Sequence, residues 1–218
     1  MNPPSNKIID DYIILDNFVP QSLQDEIEEM LLSSNFPWYI FPEIWLGAST
    51  PENLLSNNNI LNSTGVVHNF VNEGLPGSDY RHSFIYILHF LSKQLKFSVD
   101  QILRIRGRTT FQYPGSNKNT FCGPHVDFSM DNNYYSLIYY VNDSDGDTFL
   151  FEEERKDDDL NFQPNLSNLK IRERISPKKG RLLLFNGNIL HSGNCPINSK
   201  IRCIVNYDFT ATKTQHGI

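Results

Sequence analysis

Apolar residues recur along this chain with two different periods, and the change from one to the other divides it. After a short predicted strand at residues 12–15, Leu23, Ile27, Met30 and Leu31 fall at helical spacing behind Pro20 and opposite Asp25, Glu28 and Glu29. A second helix is predicted over about residues 79–95, with Phe84, Leu88, Leu91 and Leu95 on one face. Between the two, residues 36–77 carry Trp38, Trp45, several prolines and an Asn/Ser-rich middle, which predicts loops with one short strand near residues 66–70. From Ile102 the period falls to two. Leu103, Ile105, Thr109, Phe111 and Tyr113 alternate with Arg104, Arg106, Arg108 and Gln112, the pattern of a strand with one apolar and one basic face. Further strands are predicted at residues 136–141, 148–151, 171–175, 181–185 and 202–209, separated by Gly, Asp, Asn and Pro clusters. Helices followed by many short strands predict an α+β, mainly β fold: a sandwich or jelly roll with N-terminal supporting helices rather than a parallel α/β sheet. With no repeat and no linker, residues 1–218 are expected to form one domain, its helical support over about residues 1–100 and its jelly-roll core over about residues 101–210.

Composition narrows the partners. The 218 residues hold 19 Lys and Arg against 25 Asp and Glu, a net charge of -6, which disfavours a protein whose main task is to grip nucleic acid. Cys122, Cys195 and Cys203 form no C-x-x-C pair and leave an odd thiol, so neither a disulfide framework nor a zinc knuckle is expected. No basic segment leads into an apolar run at residues 1–10, and no apolar stretch reaches membrane-spanning length, so a soluble, cytoplasmic protein without a membrane partner is expected. The acidic residues 152–154 and 157–159 read as a solvated loop.

Three residues stand out chemically. His125 and Asp127 lie two apart after Pro124, so on a strand end both side chains project from one face. Alone the pair is weak evidence, since about 0.4 such pairs arise by chance in a chain of this composition. His191, which follows the apolar strand at residues 181–185, adds a second imidazole. Two neutral imidazoles and one carboxylate form the facial set that leaves positions open on Fe(II). Arg202, at the start of the last strand, offers a planar fork for a carboxylate, with Lys200 as the competing cation.

In that order and spacing, His125-x-Asp127, His191 and Arg202 resemble the Fe(II)/2-oxoglutarate-dependent dioxygenases, in particular the prolyl 4-hydroxylase-like branch of marine phage and bacterial type. Tyr113-Pro114-Gly115 resembles the turn that precedes the first ligand in prolyl hydroxylases, and Ile138-Tyr139-Tyr140-Val141-Asn142 resembles their I-Y-Y-L-N strand. Asp145-Gly146-Asp147-Thr148 stands where that family more often has G-G-x-T. The resemblance covers about residues 103–209. It implies a double-stranded β-helix, Fe(II) held by His125, Asp127 and His191, and 2-oxoglutarate and O2 as co-substrates, with ascorbate as an optional reductant. It further implies that Arg202 binds the distal 2-oxoglutarate carboxylate, that Tyr140 donates its hydroxyl to the same group, and that Tyr113, Thr148 and Asn206 line the site. The implied reaction couples decarboxylation of 2-oxoglutarate to succinate and CO2 with hydroxylation of a peptide or small-molecule substrate, peptidyl proline first and a free amino acid second.

Blander readings apply elsewhere. His68, His82, His89 and His216 lack partners at ligand spacing and are expected to be ordinary histidines. The stripe Arg104, Arg106 and Arg108 is expected to be a solvated sheet face, its functional alternative being a site for an acidic substrate segment. Trp38 and Trp45 are expected to anchor a loop. The alternatives from other classes are a non-catalytic jelly-roll protein that keeps the metal cup, and a cupin-type enzyme using the same triad with another metal.

Overall fold

Both periods have their elements in the structure, a computed structural model that describes residues 7–41, 59–61, 63–128, 134–156, 159, 162, 165–166 and 169–214. In chain order these are β1 (Tyr12–Leu15), α1 (Gln21–Leu32), β2 (Tyr39–Phe41), β3 (Ile60–Leu61), β4 (Gly65–Asn72), β5 (Leu75–Pro76), α2 (Arg81–Leu95) and β6 (Phe97–Phe111). There follow β7 (Phe121–Cys122), β8 (Tyr134–Tyr140), β9 (Thr148–Glu154), β10 (Ile171–Ile175), β11 (Leu182–Asn186), β12 (Ile189–Gly193) and β13 (Ile201–Lys213). An eight-stranded sheet runs β1-β11-β8-β13-β6-β4-β2, with β5 paired to β4, and a three-stranded sheet runs β10-β9-β12. The described residues form a jelly roll of the double-stranded β-helix type with two helices among them.

The helices form where the apolar stripe has something to cover. In α1, Ile27 and Leu31 are fully buried, and in α2 so are Phe84, Ile87 and Leu91. Both stripes pack in one cluster with Ile105, Leu137, Tyr139, Val205, Tyr207 and Phe209, the outward-facing residues of β6, β8 and β13. Burying each such side chain stabilises the fold by about 1.5–3 kcal/mol. Two glycine-type positions shape this packing. Lys96 adopts φ 57° to end α2, its amide donating to the Ser92 carbonyl. Gly180, at φ +76°, lies so close to Gln24 of α1 that a Cβ would fall 2.1 Å from its Oε1, so the turn into β11 must be glycine for α1 to dock.

Residues N-terminal to 101 contribute more than support: β1 and β4 are members of the large sheet, at its edge and beside β6. The segment expected to be mostly loop holds the eight-residue β4 as well as β2, β3 and β5. β12 has no counterpart among the predicted strands, because ILHSG carries no alternation, and its antiparallel pairing with β9 is what makes it a strand. The acidic residues 152–154 extend β9 instead of forming a loop, while Asp157 and Asp158 lie outside the described residues. Trp38 anchors its segment by donating Nε1 to the Leu31 carbonyl at 2.9 Å; Trp45 lies outside the described residues. His68 is buried between the Pro37 carbonyl and the Ser78 hydroxyl, a structural role, and His216 lies outside the described residues.

Candidate metal centre and its cavity

His125 and His191, far apart in sequence, face each other across an isolated antiparallel bridge. Each backbone amide donates to the other's carbonyl at 3.0 Å, so backbone pairing sets the spacing of the two rings. Ring centroids lie 4.5 Å apart, and the edge of Phe185 supports His191 from 4.9 Å. Asp127, two residues beyond His125, turns its carboxylate between them, 3.2 Å from His191 Nε2 and 3.8 Å from His125 Nε2. Donor atoms of all three lie within 4.8 Å of one another.

The protonation pattern suits a cation. His125 Nδ1 and His191 Nδ1 each sit 3.1 Å from a carbonyl two residues back, Gly123 and Ile189. A carbonyl only accepts, so each Nδ1 carries the proton and each Nε2 turns its lone pair toward the cluster. Burial, then the neighbouring His191, push the His125 pKa well below the usual imidazole value. Burial alone would raise the pKa of Asp127. The Arg104 guanidinium and the two histidines outweigh it and hold the carboxyl well below the usual carboxylate range. Two imidazoles with Nε2 turned inward and one carboxylate are therefore placed to hold a divalent ion.

Arg104 is the residue that the sequence reading missed here. It donates through Nη2 to Asp127, and through Nε and Nη2 to Asp208 at 2.9 and 2.8 Å. Asp208 also accepts from Ser136 Oγ at 2.9 Å, and Asn206 Nδ2 lies 3.3 Å from both carboxylates. Asn206, expected as cofactor lining, thus braces the triad carboxylate. Burial and the charge of Asp127 raise Asp208 to about 7 despite Arg104. The clue was the matched parity of β6 and β13: register pairs Arg104 with Asp208 and Arg106 with Asn206, so these side chains share one face.

Along the same face, Arg202 begins the other end. It is 3% exposed, donates Nη2 to Thr148 Oγ1 at 2.7 Å and lies 5.9 Å over the Tyr140 ring. Its Nε is buried without a hydrogen-bond partner, and no carboxylate pairs with it among the described residues. Tyr140 donates its hydroxyl to the same Thr148 oxygen at 2.7 Å. Thr148 accepts from both, which leaves its own proton for a third partner. A buried arginine with an unused donor edge beside a hydroxyl free to donate is a fit for the outer carboxylate of a dicarboxylate.

The D-G-D-T segment explains itself around this arginine. Asp145 accepts from the amides of Ile197, Asn198 and Ser199 at 2.9, 2.7 and 3.1 Å, fastening the turn that leads into β13. A Cβ on Gly146 would fall 3.0 Å from Arg202 Cδ, and Thr148 supplies the hydroxyl. The competing Lys200 is exposed and does not line the cavity. Nor does Tyr113, which is 38% exposed on the turn after β6; its expected role near the cofactor has no contact to support it.

Between triad and Arg202 lies a cavity of about 370 Å³. Its walls include Arg104, Arg106 and Arg108, which corrects the expectation of a solvated basic face. The helices cover the apolar face of β6 from outside, so the basic face is turned into the jelly roll.

Fold and cluster define a jelly roll whose two histidines and one carboxylate could hold a metal ion. Residues 110–208 match the 2OG-Fe(II) oxygenase superfamily. Solved structures share the fold at low identity. A Trichoplax adhaerens prolyl hydroxylase in complex with a hypoxia-inducible-factor peptide has 13% identity and a TM-score of 0.54, covering 91% of this chain and 82% of that one. The α-ketoglutarate-dependent epimerase SnoN of nogalamycin biosynthesis has 11% identity and a TM-score of 0.56, covering 95% and 82%. HygX from Streptomyces hygroscopicus, with nickel and 2-oxoglutarate bound, has 9% identity and a TM-score of 0.53, covering 93% and 83%. No curated protein matches in sequence.

Proposed function

We propose that this chain, acting as one domain, is an Fe(II)/2-oxoglutarate-dependent hydroxylase of the prolyl 4-hydroxylase-like kind, acting on a peptide or a small amino acid. The observation that carries the reading is one cavity with a metal-ready triad at one end and a buried arginine lacking a carboxylate at the other. His125, Asp127 and His191 hold the metal, their Nε2 atoms and carboxylate already oriented by backbone carbonyls and Arg104. Arg202 binds the distal carboxylate of 2-oxoglutarate, Thr148 adds its hydroxyl, and Tyr140 holds Thr148 in place. When bound, iron and 2-oxoglutarate supply the redox chemistry: 2-oxoglutarate, O2 and substrate C–H give succinate, CO2 and C–OH. The protein positions the co-substrate along the floor of β6 and β13 and limits water through the packed wall beneath Arg202.

Among the described residues no helix is long and apolar enough to cross a membrane, and the three free cysteines are buried, which supports a cytoplasmic setting.

The test is an anaerobic titration with Fe(II) and then 2-oxoglutarate, followed by oxygen. A visible charge-transfer band, then succinate, is the expected result. Metal binding without the band would overturn the reading in favour of a cupin-type or non-catalytic metal protein. Arg202→Ala should weaken 2-oxoglutarate binding by about 2–5 kcal/mol, as for a broken buried charge pair, and leave metal retention intact.

A further inference from the structure

The proposed function leaves two of the four cavity arginines without a task. Arg104 is engaged by Asp127 and Asp208, and Arg202 is assigned to 2-oxoglutarate. Arg106 and Arg108 line the same cavity on alternate positions of β6, so their side chains share its floor. Arg106 is the informative one. It is half-buried and donates Nε to Asn69 Oδ1 at 2.7 Å, which fixes the plane of its guanidinium. Among the described residues no carboxylate pairs with it, although the chain as a whole carries six more acids than bases. Burial, then the nearby charge of Arg104, lower its pKa by more than Asp127 and Asp208 raise it.

Position adds a second constraint. The register partner of Arg106 is Asn206, which touches Asp127. Neighbouring strands lie about 4.8 Å apart, so Arg106 stands one strand away from the metal-holding carboxylate. Arg202 is four residues further along β13, roughly 13 Å. An anion on Arg106 therefore sits beside the metal centre and apart from the 2-oxoglutarate end. Val67 of β4, opposite Arg108, and the exposed Phe41 of β2, opposite Gly65, add apolar lining to the same cavity. Among the described residues, the arginine ion pairs to Asp127 and Asp208 both run through Arg104.

We infer that the substrate is a small carboxylic acid whose carboxylate is bound end-on by Arg106, with Asn69 orienting the guanidinium and Arg108 adding positive charge. This inference rests on the proposed function and selects the free acid over an internal peptide segment.

The experiment uses protein loaded with Fe(II) and 2-oxoglutarate without oxygen, titrated calorimetrically with N-acetyl-L-proline and N-acetyl-L-prolinamide, benzoate and benzamide, and phenyl phosphate. In at least one pair the acid should bind tenfold or more tightly than the amide. Arg106→Gln should abolish that preference, and Arg106→Lys should restore part of it. Should Arg106→Gln fail to fold, Asn69→Leu should shrink the preference at least threefold. Absence of acid preference in both pairs, a preference that survives Arg106→Gln, or binding of phenyl phosphate alone would each overturn the inference. The 2-oxoglutarate titration separates the two failures: normal co-substrate binding without acid preference strikes only this inference, whereas no co-substrate binding strikes the proposed function and this inference with it.

Discussion

The two faces of the large sheet are built from the same strands, yet they solve opposite problems. On β13, Cys203, Val205, Tyr207 and Phe209 point outward into the helix-covered core, while Arg202, Ile204, Asn206 and Asp208 point inward to the cavity. β6 repeats the division with Ile105 outward and Arg104, Arg106 and Arg108 inward. The outer face is stabilised by burial of apolar area and tolerates no charge. The inner face keeps charges because Asp127, Asp208 and Asn206 pair with them and because ligands are to complete the set. A polar face is therefore not a solvent face when a second layer closes over it.

The difference can be broken most forcefully from either side. Arg104→Met should cost about 3–5 kcal/mol, since it strands two buried carboxylates. Phe209→Ala, which removes the ring stacked on Phe97 at 5.9 Å, should cost a similar 3–5 kcal/mol by leaving a cavity. Denaturant unfolding with and without added Zn(II) separates them: metal should recover part of the loss in Arg104→Met, by neutralising Asp127, and should add no more to Phe209→Ala than to the parent. Equal recovery in both would refute the assignment of the two faces.

A smaller effect sharpens the inner face. Thr148→Val keeps the shape and removes the hydroxyl shared by Arg202 and Tyr140, so 2-oxoglutarate affinity should fall by about 1 kcal/mol, roughly fivefold, in an isothermal titration. The smallest effect lies at the rim. The backbone amides of residues 197–199 overcome partial burial and lower Asp145 to about 2. Its folded-state pKa lies below the unfolded value, so its contribution is complete above about pH 4 and fades as pH falls toward 2. With solvent screening that contribution is about 1 kcal/mol, and Asp145→Asn should flatten the acid limb of the stability profile by that amount.

Much of this architecture was legible beforehand. The helical stripes behind Pro20 and over about residues 79–95 and the alternation that begins at Ile102 are local patterns, and local patterns survive folding. His125-x-Asp127 was legible as a shared face, and His191 as its complement. β12 was not, because only pairing with β9 extends it. Arg104 was read as a surface charge, because its partners Asp127 and Asp208 lie on other segments.

By itself, then, the sequence determined the periods and the shared face of His125 and Asp127, since each follows from spacing along a single strand or helix. Only the tertiary structure decided that His125 meets His191 backbone to backbone, that Arg202 rather than Lys200 enters the cavity, and that the basic face of β6 turns inward. Those outcomes depend on which layer covers which face, a balance of apolar burial outside against paired charge inside that no single segment contains.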